Sequence, residues 1–246
     1  MTLAAAIPVE LMRPAKGRAP VILIVDDEIQ IRRALSESLA TLPARVLEAR
    51  TGAEALSTAL SESPDLVVLD LGLPDRPGLD VCRQLRRWSS APIVVLSARH
   101  AEAEKIRLLN AGADDYVSKP FGLGEFVARV QAQLRRTRAP RGDEASVVEI
   151  DGLTVDPARR EVRRGATKIK LTPTEWNILR SLVVQRGRPV SHQQIFDAVW
   201  GREYGNPQQY LRVYVTHLRR KIERDPARPR IILTEPGYGY RLGDED

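Results

Sequence analysis

The chain has 246 residues, enough for two ordinary domains, and its 43% hydrophobic and 28% charged residues are typical of a soluble globular protein. The formal net charge of +6 favours a polyanionic partner. The single cysteine, Cys82, excludes an intrachain disulfide, and no apolar stretch reaches the roughly 18 residues of a membrane span. We therefore expect a cytoplasmic protein with no membrane partner, in which residues 1–19 form a disordered leader.

Strands and helices alternate in the first half of the chain. Five short segments are predicted to be strands, which are Val21–Val25, Arg45–Ala49, Leu66–Asp70, Ile93–Ser97 and Asp115–Ser118. Helical patterns, one after each strand, predict five helices, which are Gln30–Thr41, Gly52–Ser61, Gly78–Trp88, Ala101–Ala111 and Gly122–Arg136. This succession indicates an α/β domain with a doubly wound, five-stranded parallel sheet over residues 20–137, followed by a polar linker over residues 138–146.

The pattern changes after the linker, and residues 147–246 are expected to form a second, α+β domain. Short alternating runs over residues 147–171, broken by glycine and proline, predict a small antiparallel sheet. The residues Thr172 and Glu175 predict a capping box at the start of a helix. The remaining predicted elements are the helices Pro173–Gln185, His192–Trp200 and 207–224, and a hairpin with strands 231–234 and 238–242. Together they favour a winged helix-turn-helix.

Polar side chains stand at the ends of the predicted parallel strands, where open α/β sheets place their chemistry. Asp26, Asp27 and Asp70 would repel one another at one sheet edge unless a hard cation lies among them. This predicts a Mg²⁺ site with Asp27 as a direct ligand and Asp26 bound through a water. Asp70 is then the candidate nucleophile, forming an aspartyl phosphate, and Ser97 and Lys119 would contact the phosphoryl oxygens.

The third helix of the second domain has the composition of a DNA-reading helix. Its residues Leu211, Val215, Leu218 and Ile222 lie on one face and are expected to be core. The other faces mix Arg, Gln, Thr and His, the residue types that bind base edges and phosphates. The candidate DNA-binding residues are Gln209, Arg212, Tyr214, Thr216, His217, Arg219, Arg220, Thr234 and Tyr238. Arg212, Thr216, His217 and Arg219 are expected in the major groove, and Gln209 and Tyr214 on phosphates.

The chain resembles the bacterial two-component response regulators of the OmpR/PhoB class from Val21 to Leu242. The segments that carry the resemblance are 69–75 (LDLGLPD) and 112–122 (GADDYVSKPFG). Together with the segment 225–230 (DPARPR) and the serine at position 97, they are most similar to the regulators of a potassium-uptake (kdp) operon.

The resemblance implies that a cognate sensor histidine kinase donates the phosphoryl group, which the domain transfers to its own Asp70, with no other enzymatic activity. It implies the backbone carbonyl of Gly72 as a further Mg²⁺ ligand, and a cis peptide bond between Lys119 and Pro120. On phosphorylation the Ser97 hydroxyl would move toward the phosphoryl group, and Tyr116 would turn inward to fill the vacated space.

The resemblance further implies a homodimer on phosphorylation, bound to double-stranded operator DNA and activating transcription. The expected ion pairs between copies are Lys105 with Glu125, Asp114 with Arg129, and Asp115 with Arg136. The loop 201–206 would contact RNA polymerase.

Two rival interpretations remain. Mg²⁺ with an aspartate nucleophile also describes phosphatases of the haloacid-dehalogenase type, but those have a second aspartate two residues after the nucleophile, where this chain has Gly72. The other rival is a DNA-binding protein that works without phosphorylation and has a degenerate acceptor site, which the intact Asp26, Asp27 and Lys119 disfavour.

Overall fold

The computed structural model describes residues 18–98, 102–138, 146–200 and 207–244, without the side chains of residues 102, 136–138 and 207–209. These residues fall into two compact units, which we describe separately. The predicted leader up to residue 17, most of the predicted linker and the loop 201–206 lie outside the described residues. None of the helices within those ranges combines the length and the apolar composition that a membrane span requires.

The first unit is built on a parallel sheet. Its strands are β1 (Val21–Val25), β2 (Arg45–Ala49), β3 (Leu66–Asp70), β4 (Ile93–Ser97) and β5 (Asp115–Ser118). Their order is β2-β1-β3-β4-β5, and every neighbouring pair is parallel. The three central strands, β1, β3 and β4, are buried along their whole length because they are apolar on both faces. The predicted strand bounds and doubly wound topology are confirmed.

Five helices alternate with these strands along the chain. They are α1 (Ile29–Leu39), α2 (Gly52–Glu62), α3 (Gly78–Arg86), α4 (Glu102–Asn110) and α5 (Leu123–Arg138). Each begins and ends within two residues of its predicted bounds. The core includes Leu35 and Leu39 of α1 and Phe126 and Val130 of α5, all buried together with residues of the sheet. The apolar stripes that predicted these helices are therefore their buried faces.

The part of the second unit from residue 146 onward has two antiparallel sheets and three helices among its described residues. The first sheet contains, in order, β6 (Val148–Ile150), β7 (Leu153–Asp156), β8 (Glu161–Arg164) and β9 (Thr167–Lys168). The helices are α6 (Pro173–Val184), α7 (His192–Trp200) and α8 (Pro207–Ile222). The second sheet contains β10 (Val190–Ser191), β11 (Ile232–Glu235) and β12 (Gly239–Leu242), in the order β10-β12-β11. The hairpin β11–β12 is the wing of a winged helix, as predicted.

Local signals account for how these helices begin and pack. The Thr172 side chain accepts from the backbone N–H of Glu175, whose carboxylate accepts from the N–H of Thr172, so the predicted capping box is confirmed. The predicted core positions of α8 are also confirmed, since Leu211, Leu218 and Ile222 are fully buried and Val215 nearly so. Because this face of α8 packs against the core, it determines which residues of the helix lie on the opposite, exposed face.

Candidate functional site

Two carboxylates lie side by side at the carboxyl edge of the parallel sheet. Val25 of β1 pairs with Leu69 of β3, so the residues that follow them, Asp26 and Asp70, come at the same level. Asp26 is fully buried and Asp70 is 6% exposed. Asp27, one residue further along, is exposed. The predicted convergence at this edge is therefore found for Asp26 and Asp70.

One ammonium group bridges the two carboxylates. Lys119 follows β5, and its Nζ lies 3.0 Å from Oδ2 of Asp26 and 2.7 Å from Oδ1 of Asp70. Its backbone N–H donates to the carbonyl of Ser97 at the end of β4, at 2.7 Å. The Lys119–Pro120 peptide bond is cis, as the resemblance implied. Three residues far apart in sequence thus form one charged pocket.

The titration of this pocket reflects both burial and pairing. Burial raises the pKa of Asp26, and hydrogen bonds from Lys119 and from the N–H of Glu28 offset only part of that rise. Burial alone would lower the pKa of Lys119, but hydrogen bonds to Asp70 and Asp26 outweigh it and raise that pKa above 10.5. Lys119 is therefore a firmly charged cation at neutral pH.

Backbone donors orient the two carboxylates. The N–H of Glu28 donates to Oδ1 of Asp26 at 2.9 Å, and the N–H of Gly72 donates to Oδ2 of Asp70 at 2.6 Å. Each carboxylate therefore has one oxygen held by the backbone and the other by Lys119. The carboxylates of Asp26 and Asp70 therefore both face the pocket that contains the Lys119 ammonium.

A buried arginine, which the sequence analysis missed, supports the acidic loop. Arg32 of α1 is 5% exposed, and its Nη1 donates to the carbonyls of Asp26 at 2.8 Å and Asp27 at 3.0 Å. Its Nε donates to Glu48 of β2 at 3.2 Å. Its spacing could have indicated its burial, because Arg32 precedes the buried Leu35 by three residues and so lies on the same face of α1.

The loop after Asp70 is held by close packing and by a second carboxylate. Asp75 accepts from the backbone N–H groups of Gly52 at 2.8 Å and Ala53 at 3.0 Å, at the start of α2. A Cβ on Gly78 would lie 2.3 Å from the carbonyl oxygen of Asp70, so the chain can approach this closely only at a glycine. The position of Asp70 thus depends on its own loop.

The oxygen atoms of this pocket fit a magnesium ion. Within the described ranges, no group of three or more His, Cys, Asp and Glu side chains is arranged to hold a metal. Mg²⁺ commonly binds through only one or two carboxylates and keeps several waters. Asp26 and Asp70 supply two carboxylates, and their two negative charges face the single positive charge of Lys119. The donor set and its uncompensated charge are both suited to a hard cation.

The predicted switch residues lie on the central strand β4 and on its neighbour, the edge strand β5. Ser97 is 2% exposed at the end of β4, next to Ser118 of β5. Tyr116 of β5 is half-buried and pairs with Val95. Their movement on phosphorylation remains a prediction.

The residues expected at a dimer face make contacts within the chain. Arg129 donates from Nη1 to Oδ1 of Asp115 at 3.1 Å and from Nη2 to Oε1 of Glu125 at 2.6 Å. Asp114 is buried, and Lys105 is half-buried. The side chain of Arg136 lies outside the described residues. Arg129 would therefore have to share or exchange these partners to pair with Asp114 of a second copy.

Part of the predicted DNA-binding set lies on the exposed face of α8. Arg212, Thr216 and Arg220 are exposed there, and His217 is half-buried. Burial lowers the pKa of His217, and the nearby charges of Arg220 and Lys221 lower it further. The side chain of Gln209 lies outside the described residues. On the wing, Thr234 is exposed and Tyr238 is 49% exposed.

Two members of that set have other surroundings than expected. Tyr214, expected on a phosphate, is 3% exposed, and its ring packs against Trp200 with centroids 5.2 Å apart. Arg219, expected in the major groove, is half-buried and donates to the wing strand at the carbonyl of Ile232 and the hydroxyl of Thr234. Helical periodicity placed Arg219 off the core stripe, but it could not show these partners. Tyr214 lies three residues after Leu211 and four before Leu218, so its spacing could have placed it beside the buried face.

Comparison with known proteins identifies the family. Residues 22–131 match the response regulator receiver domain, and residues 166–242 match the C-terminal domain of transcriptional regulatory proteins. The chain is similar to the transcriptional regulatory protein KdpE of Mycobacterium tuberculosis, with 48% identity over 90% of this chain and 98% of that protein. The KDP operon transcriptional regulatory protein KdpE of Escherichia coli is 46% identical over the same shares of the two chains.

A solved structure supports the same assignment. The response regulator DrrB of Thermotoga maritima, an OmpR/PhoB homologue, is 30% identical with a TM-score of 0.50, covering 92% of this chain and 99% of that one. The two matched families lie in the same order as the two structural units, with the acidic pocket in the first and the winged helix in the second. The chain therefore belongs to the response regulators of the OmpR/PhoB type, two-component transcription regulators that join a receiver domain to a C-terminal winged-helix domain.

Proposed function

We propose that Asp70 accepts a phosphoryl group from a cognate sensor histidine kinase and that this modification controls binding to operator DNA. The observation that supports the proposal best is the Lys119 ammonium, which lies between Asp26 and Asp70 at the edge of the sheet. A carboxylate at a strand end is common, whereas two buried carboxylates sharing one lysine at the carboxyl edge of a parallel sheet are typical of a reaction site.

In the proposed transfer, a carboxylate oxygen of Asp70 attacks phosphorus. The new bond forms as the bond between phosphorus and the donor breaks, and the donor leaves with that electron pair and takes up a proton. Lys119 would stabilise the negative charge on the phosphoryl oxygens, and the Ser97 hydroxyl would donate to one of them. The protein thus supplies nucleophile and positioning, which is an acceptor reaction rather than turnover of a substrate.

The proposed metal ligands are the carboxylates of Asp26, Asp27 and Asp70 and the backbone carbonyl of Gly72. A bound Mg²⁺ would neutralise charge on the phosphoryl group during its transfer. Arg32 would hold the carbonyls of Asp26 and Asp27 and so fix the loop that presents their carboxylates.

Phosphorylation is proposed to shift a two-state packing of the receiver domain. Ser97 would move toward the new phosphoryl group, and Tyr116 would turn inward. The altered surface would pair with a second copy through residues near Lys105, Asp115 and Arg129. Because exposed ion pairs contribute only about 0–1 kcal/mol each, these pairs would set the register of the dimer more than its strength.

The winged helix is proposed to bind DNA with α8 in the major groove and the wing over an adjacent groove or phosphates. Arg212, Thr216 and Arg220 are the exposed candidates for base and phosphate contacts. The similarity to two KdpE proteins supports a potassium-uptake operon as the target. RNA polymerase is the proposed partner of the loop 201–206.

The acceptor can be tested with acetyl phosphate and Mg²⁺, followed by intact-mass measurement. Wild type should gain one phosphoryl group, and Asp70→Asn should gain none. The control is Asp80→Asn, which removes a half-exposed carboxylate of α3 and should be modified like wild type. Equal labelling of wild type and Asp70→Asn would exclude Asp70 as the acceptor.

The link from phosphorylation to DNA can be tested with beryllofluoride, which mimics the phosphoryl group. Light scattering and a bandshift on the DNA upstream of a potassium-uptake operon should both respond in wild type but not in Asp70→Asn. A protein that dimerises and binds DNA equally with and without the mimic would contradict the proposed switch.

A further inference from the structure

Arg219 of α8 donates three hydrogen bonds to the wing. Its Nε donates to the carbonyl oxygen of Ile232 at 3.1 Å, and its Nη2 donates to the same oxygen at 2.7 Å. Nη2 also donates to the Thr234 hydroxyl at 2.9 Å. The guanidinium carbon lies 6.0 Å from the centroid of the Tyr240 ring on the other wing strand. Arg219 thus contacts both strands of the wing.

This geometry is unsuited to reading a base. A bidentate contact to guanine needs two neighbouring N–H groups that point the same way. The Nε–Nη2 edge already faces Ile232, and the two N–H groups of Nη2 are both used, one on Ile232 and one on Thr234. Arg219 could present a bidentate edge to DNA only by releasing the wing.

The bonded strand is the outer strand of its sheet. In the order β10-β12-β11, one edge of β11 has no neighbouring strand among the described residues, and unpaired backbone groups there need partners. Side chains of α8 and the residue that follows it supply them. Glu223 accepts from the N–H groups of Arg230, Ile231 and Ile232 at 2.9–3.1 Å, and Arg219 donates to the Ile232 carbonyl. Ile232 is therefore held at both backbone groups.

The two attachments hold different parts of the wing. Glu223 lies just beyond α8 and binds where the chain enters β11. Arg219 lies one helical turn earlier and reaches Thr234, two residues further toward the tip of the wing. Tyr238, at the exposed turn between the strands, continues in that direction. Of the two residues, Arg219 therefore holds the part of the wing that is nearer its tip.

We propose that Arg219 is a positioning residue that fixes the wing against α8, so that Tyr238 and Thr234 meet DNA at a set distance from the helix. This inference rests on the proposed DNA binding. Arg219 contributes to affinity through the wing, whereas its exposed neighbour Arg220 contributes through a contact of its own.

The experiment is a pair of double-mutant cycles on DNA. The probe is a duplex that wild type itself selects from a randomised library, with affinities measured by fluorescence anisotropy. Arg219→Gln and Tyr238→Ala are each expected to weaken binding about tenfold, and the double variant by little more than either, because residues that act through one another are not additive. For the pair Arg220→Gln and Tyr238→Ala, each single variant should also lose about tenfold in affinity. Their double variant should lose about a hundredfold, because the free energies of independent contacts add. A hundredfold loss for the Arg219 pair would overturn the proposal.

A second measurement needs no DNA. Hydrogen exchange of wing peptides covering residues 230–242 should be at least about tenfold faster in Arg219→Gln and in the charge-preserving Arg219→Lys, because the wing opens locally. Arg220→Gln should leave that exchange as in wild type. Unchanged wing exchange in both Arg219 variants would overturn the proposal. If wild type selects no duplex at all, the proposed DNA binding fails instead, and the two failures are distinguishable.

Discussion

The Nζ atom of Lys119 lies 2.7 Å from Oδ1 of Asp70. Because Lys119 also binds Asp26, its removal would leave two neighbouring carboxylates, one of them fully buried, without their cation. In the absence of Mg²⁺, Lys119→Met should lower the free energy of unfolding by roughly 1–3 kcal/mol, the usual cost of leaving buried polar groups unpaired. Urea unfolding measures the change.

Mg²⁺ should raise the melting temperature of Lys119→Met more than that of wild type, since a divalent cation can replace the lost positive charge. The control is Lys170→Met, which removes an exposed lysine and should respond to Mg²⁺ as wild type does. Identical Mg²⁺-induced shifts in all three proteins would contradict the proposed metal site.

Arg32 should stabilise the acidic loop, whereas its neighbour Arg33 should not. Arg32 is buried and bonds the carbonyls of Asp26 and Asp27, while Arg33 is exposed. Arg32→Met should lower the free energy of unfolding by about 2–3 kcal/mol, because it leaves backbone carbonyls without their donor. It should also slow labelling of Asp70 by acetyl phosphate. Comparable losses in Arg32→Met and Arg33→Met would show that the buried contacts have no special role.

Gly78→Ala should disturb Asp70, the proposed acceptor, through packing alone. The added Cβ would lie 2.3 Å from the carbonyl oxygen of Asp70 and 2.7 Å from Cα of Leu71, and both are backbone atoms that cannot rotate away. We expect a loss of roughly 1–3 kcal/mol in stability, typical of overpacking, together with slower labelling of Asp70.

Gly124→Ala is the matched control for this change. A Cβ at Gly124 would meet nothing within 4 Å, and the residue lies in the first turn of α5. Alanine there should be neutral or stabilise by up to about 1 kcal/mol. Thermal unfolding measures the stability of the two variants. A Gly78→Ala protein as stable as wild type and labelled at the normal rate would contradict the close approach of Gly78 to the backbone of Asp70.

Asp75 should make stability depend on pH. The backbone N–H of Gly52, together with that of Ala53, lowers the pKa of Asp75 below its ordinary 3.8. The folded state therefore favours the ionised form, which stabilises the fold at pH values above the unfolded pKa. This stabilisation is lost as the pH falls through the lowered folded pKa.

The difference in unfolding free energy between wild type and Asp75→Asn should be constant from pH 7 to about pH 5 and shrink below that. Urea unfolding at a series of pH values measures it. Arg76→Met, which keeps both amide hydrogen bonds to Asp75, should retain most of the pH dependence. A difference that stays constant down to about pH 3 would contradict the lowered pKa.

Sequence alone determined the elements and the place of the pocket. The five parallel strands could be predicted to the residue, and for the three central ones the reason is that runs of branched apolar residues suit strands buried on both faces. Asp26, Asp70 and Lys119 could be brought together because parallel strands end at one sheet edge, whatever their separation in sequence. The capping box of Thr172 and Glu175 involves residues only three apart, so it could also be predicted from the sequence.

Only the tertiary structure decided which partners the long polar side chains take. Arg32 and Arg219 could each bind any acceptor within reach, and the backbone carbonyls that they do bind belong to other elements. Tyr214 was expected on a phosphate, yet it is buried, and its ring packs against Trp200 of α7. Periodicity identifies one buried face from local spacing, whereas the partners of a flexible side chain depend on which chain segments folding brings beside it.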